Sequence, residues 1–134
     1  MSKLSVFLHP VSSGEEREII ISNRFQDEDG QPAAFRIRAL TQEENDEITR
    51  QSRKVKKVNG QVQESLDSVE FSRRTVVAAT VEPDFRSKEL CDAYHVLDPL
   101  LVPGKMLLAG EYAKLMQEIT QLSGFTDPAE DVKN

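Results

Sequence analysis

An eight-residue alternation that runs straight into a helix start constrains this chain more than any other feature. In Ala33-Ala34-Phe35-Arg36-Ile37-Arg38-Ala39-Leu40, the residues Phe35, Ile37 and Ala39 fall on one side and Arg36, Arg38 and Leu40 on the other. That is the period of a strand with one solvated face. Thr41-Gln42-Glu43-Glu44 follows at once and has the form of a capping box, in which the Thr41 hydroxyl and the Glu44 carboxylate satisfy two amide donors that a helix start leaves unpaired. Strand gives way to helix within one residue, so the fold must be mixed.

The neighbouring segments extend that reading in both directions. Arg17 to Phe25 is rich in β-branched residues, with Ile19, Ile21 and Phe25 at period two, and reads as a first strand. Asp27-Glu28-Asp29-Gly30-Gln31-Pro32 is a turn cluster, Gly30 being free to take positive φ, so the two strands form a hairpin with a loop longer than the tightest class. Ser2 to Leu8, stopped by His9-Pro10, predicts one short docking turn, and Ser12-Ser13-Gly14 a loop. From the capping box the first long helix is predicted to run to about Val58, acidic at its start and basic at its end, before the Asn59-Gly60 turn. A second long helix is predicted from Ser65 or Asp67 to Val81, ended by Glu82-Pro83; the β-branched stretch Thr75 to Val81 also fits a strand, but no turn separates it from the capped start. Short helices are predicted at Ser87 to Tyr94 and after Asp98-Pro99, the latter cut short by Pro103-Gly104. Glu111 to Leu122 is the last helix, with Tyr112, Leu115, Met116, Ile119 and Leu122 on one face and Gly124 as its stop. The expected fold is thus α+β: an N-terminal antiparallel hairpin or small sheet packed with four to five α-helices, helix dominant. Residues 1–125 are expected to form one domain and 126–134 a polar, disordered tail.

Composition removes most function classes. A hydrophobic fraction of 38% with 30% charged residues suits a soluble domain, and no apolar run reaches the roughly 20 residues a membrane helix needs. With no signal-peptide pattern and a single cysteine, Cys91, the expected location is the host cytoplasm. A net charge of −6 and the absence of tryptophan argue against general nucleic-acid binding. Cys91 and His95 share a helical spacing, but two ligands do not make a zinc site; the Asp27-Glu28-Asp29-Gly30 run fails the calcium-loop pattern because Arg38 stands where a bidentate glutamate is needed. No nucleophile elbow, zincin, P-loop or dinucleotide fingerprint occurs, so no catalytic, cofactor or metal residue is assigned.

The strongest charge feature is Arg50-Gln51-Ser52-Arg53-Lys54-Val55-Lys56-Lys57. On the predicted helix, Ile48, Val55 and Val58 form a thin apolar stripe flanked by Arg50, Arg53, Lys54 and Lys57, too sparse to be core and therefore the leading partner-binding surface.

The order of motifs also resembles a known family. Ser22-Asn23-Arg24-Phe25-Gln26-Asp27-Glu28-Asp29-Gly30-Gln31-Pro32 with Phe35 to Asn45, then Val76 to Phe85, Leu90, Tyr94, Lys105 to Tyr112 and Leu122 to Phe125, resembles the XkdN-like phage tail assembly chaperones of PBSX-type prophages across residues 4–125. The resemblance implies a non-catalytic chaperone that binds the tape measure protein and assists tail tube assembly, and that is absent from the mature virion. It also implies the tail tube protein as a partner, a frameshifted longer form of the chain, and a family without catalytic residues to carry over. Homo-oligomerisation is compatible with the thinly apolar first helix. At Val102-Pro103-Gly104 the resemblance calls for a more continuous helix than the residues suggest. The rival readings are a structural tail completion or connector protein and a nucleic-acid-binding regulator using the basic helix.

Overall fold

The structure, a computed structural model, describes residues 3–11 and 15–125. The predicted loop at 12–14 and tail at 126–134 lie outside the described residues. In chain order the elements are α1 (Ser5–Leu8), β1 (Glu16–Ile19), β2 (Phe35–Arg38), α2 (Gln42–Gln51), β3 (Arg53–Val58), β4 (Gln61–Leu66), α3 (Ser68–Ala79), β5 (Thr80–Glu82), α4 (Lys88–Ala93), a 3-10 turn (Pro99–Leu101), α5 (Val102–Met106) and α6 (Ala109–Leu122). The expected α+β class holds, with six helices among the described residues instead of four to five.

The period-two segment becomes the centre of a three-stranded antiparallel sheet of order β1-β2-β5, with Ile19 opposite Phe35 and Glu16 opposite Arg38. Phe35 and Ile37 are buried while Arg36 and Arg38 stay partly wet, the alternation the sequence predicts. Helices α3 and α6 supply the facing layer through Val76, Val77, Ala79, Leu115 and Ile119, and Phe85 and Val102 complete the core. The stripe on the last helix is core: Leu115 and Ile119 are buried, with Tyr112, Met116 and Leu122 half-buried beside them.

Five predicted elements differ. The first strand pairs only over Glu16–Ile19, although Ile21 is still buried beyond it. The second long helix ends at Ala79, not Val81, because Thr80 to Glu82 leaves the helix to pair with β2; the β-branched end of that segment chose the sheet edge. Pro103 and Gly104 do not cut a helix short. Pro103 sits in the first turn of α5, where its missing amide hydrogen removes no helical bond, and it is fully buried there. The N-terminal turn is a short helix, α1, but it is not docked: Val6, Phe7 and Leu8 are exposed.

The largest correction concerns the first long helix, which stops at Gln51. Continued to Val58 it would stack Arg50, Arg53, Lys54 and Lys57 at three- and four-residue spacings, where like charges repel. Instead Ser52 turns inward, its hydroxyl donating to the Ile48 carbonyl (2.6 Å), and Arg53 to Val58 leaves as a strand. Asn59 and Gly60, at φ of 53° and 79°, form the tight reversal that returns the chain along β4.

Two carboxylates tie these layers together. Glu44 closes the predicted capping box, accepting from the Thr41 amide (3.0 Å) while its own amide donates to the Thr41 hydroxyl (3.2 Å). The same carboxylate accepts from both terminal guanidinium nitrogens of Arg38 (2.6 and 3.1 Å), and Arg38 Nε donates to the Ala78 carbonyl (3.2 Å), so one cluster joins β2, α2 and α3. Glu111, only 7% exposed, accepts from Arg24 Nε (2.9 Å), Arg24 Nη2 (2.6 Å) and the Leu108 amide (2.7 Å). Arg24 Nη2 also donates to the Met106 carbonyl (3.0 Å), and its guanidinium lies 5.0 Å from the Phe25 ring, which in turn packs 5.6 Å from Phe35.

Removing the fully buried Leu115 side chain by Leu115→Ala should cost about 2–5 kcal/mol of unfolding free energy in denaturant titration. Hydrogen bonds from Arg38, then from the Thr41 amide, hold the Glu44 carboxyl down to about 2 from 4.5, and those from Arg24, then Ser22, do the same for Glu111. Because both folded-state values are depressed, their stabilisation is present above the unfolded value and is lost as pH falls from about 4.5 toward 2. Glu44→Gln should therefore be less stable than the parent at pH 6, with the difference shrinking through that acid window; a constant difference down to pH 2 would contradict the assignment.

Candidate partner-binding site

The β3–β4 hairpin is inserted between two helices that pack against each other, α2 and α3. Its root is fixed. The Asp67 amide donates to the Ser52 carbonyl (2.7 Å), Ser52 is buried, and the Asp67 carboxylate caps α3 by accepting from the Glu70 amide (3.1 Å). Arg74 on α3 donates to the Gln51 side chain (3.0 Å) across the same junction.

Beyond the root, every residue from Arg53 to Leu66 is exposed except Val58, which is half-buried. The register pairs Arg53 with Leu66, Val55 with Glu64 and Lys57 with Val62 on one face, and Lys54 with Ser65, Lys56 with Gln63 and Val58 with Gln61 on the other. The first face is amphipathic. Val55 and Val62, each 63% exposed, lie diagonally across the strands, and Leu66 continues the apolar line toward the root. Arg53 and Glu64 approach to 3.8 Å, whereas Lys57 stands opposite Val62 with no acidic side chain across from it. The second face carries Lys54 and Lys56 among neutral side chains. Four cations against the single Glu64 make this arm basic on a chain whose net charge is −6.

A two-stranded hairpin is marginal by itself, because neither face buries enough apolar surface to offset chain ordering. Two exposed faces and open edges suit an arm that is completed by a partner: apolar side chains rimmed by charge supply contact area, and the free edges offer backbone hydrogen bonds.

The residues predicted as one helical surface are thus divided. Ile48 lies on α2 and is 6% exposed, inside the body. Arg50 is the last-turn cation of α2 and pairs with Glu47 (2.6 Å), which raises its pKa. Arg53, Lys54, Val55, Lys57 and Val58 all move onto β3, where strand alternation separates Lys54 and Val58 from Arg53, Val55 and Lys57. The arm adds Val62, Glu64 and Leu66, which helix-based reasoning missed. Asn59-Gly60 flanked by Val55, Val58, Val62 and Leu66 was the available signal.

The other chemistry-bearing residues have structural roles. Cys91 is buried and its thiol donates to the Phe85 carbonyl (3.8 Å), whereas His95 is exposed after α4. Asp27 organises its own turn, accepting from the amides of Asp29 (2.9 Å) and Gln31 (3.0 Å). Among the described residues no group of three or more His, Cys, Asp and Glu side chains is placed to hold a metal, and no helix is long and apolar enough to cross a membrane.

Comparison with known proteins agrees with this architecture. The family model for the Phage XkdN-like tail assembly chaperone protein matches residues 4–134. Two Bacillus subtilis (strain 168) proteins are similar over 121 residues: YqbN at 38% identity, covering 89% of this chain and 81% of YqbN, and the phage-like element PBSX protein XkdN at 36%, covering 89% and 82%. The crystal structure of YqbN superposes with a TM-score of 0.77 at 33% identity, over 94% of this chain and 99% of that one. Family model, relatives and fold together make this chain a member of the XkdN-like phage tail assembly chaperone family.

Proposed function

We propose that this chain binds the tape measure protein of its own phage during assembly and presents it to tail tube subunits, using the β3–β4 arm as the contact surface and no catalytic step. The observation that carries this reading is the arm itself: six-residue strands with nearly every side chain in solvent, Val55 and Val62 on one face and Lys54 and Lys56 on the other. A chaperone must hold its partner and then release it. Contact through a narrow, charged arm suits that requirement better than a wide apolar interface, because electrostatics speeds encounter while the small buried area keeps dissociation fast. The preferred partner surface is an acidic, amphipathic segment, complementary to the arm in both charge and apolar content.

The assignment can be checked by co-purification and titration with the tape measure and tail tube proteins of the same phage, with mature particles assayed in parallel. Lys54→Glu with Lys57→Glu should weaken tape measure binding about tenfold or more and flatten its salt dependence, and Val55→Asp with Val62→Asp should weaken it at least as much. All four positions are exposed, so the folded body should melt at an unchanged temperature. Unchanged affinity in both variants would move the contact off the arm, and stoichiometric presence in mature particles would make the chain a structural tail component.

A further inference from the structure

A second feature stands apart from the arm and independent of its role. A groove of about 490 Å³ runs between the start of α2, the middle of α3 and the C-terminal half of α6, with Leu40, Phe71, Met116, Ile119 and Phe125 supplying its apolar lining. Thr75 also lines it. This residue is 6% exposed, and its hydroxyl has no hydrogen-bond partner, a cost that native structures usually avoid.

The chain carries an apolar element that the sequence tethers to one wall of the groove. Helix α1 presents Val6, Phe7 and Leu8 to solvent, Phe7 at 77% exposure, and so short a helix leaves its last carbonyls without intrahelical donors. The tether ends at the groove. The Glu15 carbonyl accepts from the Ala39 amide (2.7 Å), the next residue, Leu40, is part of the groove wall, and a second cleft lined by Glu15 shares Leu40 and Thr41 with the groove. Val11 is four residues from Glu15, a reach of about 14 Å at most. A segment held this close has a millimolar effective concentration at the groove, so a few side chains are enough to seat it.

We propose that α1, whose apolar side chains stand in solvent in this structure, folds back to dock in the groove, with Phe7 and Leu8 packed against Phe71, Met116 and Ile119 and an α1 carbonyl accepting from the Thr75 hydroxyl. Any other helix that used the groove would first have to displace α1.

The test compares the full chain with a Phe7→Asp, Leu8→Asp variant, whose substitutions fall on exposed side chains and leave the core intact. Docking predicts that the methyl resonances of Leu40, Thr75, Met116 and Ile119 shift between the two proteins, and that amides 5–8 exchange with deuterium more slowly in the full chain. A synthetic peptide of residues 3–11, added to the variant, should return the methyl signals to their parental positions. Met116→Lys in the full chain should abolish the slow exchange of amides 5–8. Identical methyl spectra in parent and variant would overturn the proposal. So would shifts that fade on dilution together with a dimer in sedimentation, which would assign the groove to a second copy.

Discussion

Glu111 is a carboxylate with almost no access to water, and the architecture around it is arranged to keep it charged. Burying an ionised group is expensive unless its lone pairs are met, and here a bidentate arginine and a backbone amide meet them. The contacts come from segments far apart in sequence: Arg24 follows the first strand, Leu108 precedes α6, and the Met106 carbonyl at the end of α5 binds the same guanidinium. Fixing Glu111 therefore fixes the entry angle of α6, and with it the placement of Leu115 and Ile119 over the sheet. Arg24 stacked on Phe25, itself against Phe35, extends the same restraint to β2.

Glu44 repeats the device at the other end of β2. It is a helix cap in the sequence and an ion-pair partner in space. The local function, satisfying the first amides of α2, is shared with a tertiary one, holding Arg38 and through it the end of α3. The result is a body in which the starts of α2 and α6 are each anchored by an acid that also grips an arginine from the β1–β2 segment.

How much of this was legible depends on the range of the interaction. Period two in Phe35 to Arg38, the Thr41 capping box, the Asp67 cap and the Leu115–Ile119 stripe are local signals, and the structure realises each. The Arg24–Glu111 pair links residues 87 positions apart, and no spacing rule announces it. The arm failed for a different reason. Acidic residues at the start of α2 and basic ones after it resemble a helix matched to its own dipole, and the sequence offers no proline or glycine between Gln51 and Arg53 to mark the break. What ends the helix is side-chain chemistry: Ser52 folds back onto the Ile48 carbonyl, and a crowded cationic face is relieved by alternation. Val55 and Val62 become neighbours only in that register, so the apolar part of the candidate surface could not be assembled from a helical reading.

The bond between Ser52 and Asp67 closes a circuit. Because the two feet of the arm meet there, the body from α2 to α3 is complete without the fourteen-residue excursion between them, and the excursion carries almost none of the core. Length, charge and strand edge in that excursion can thus change while the fold that displays them stays the same: a fixed handle with an exchangeable end.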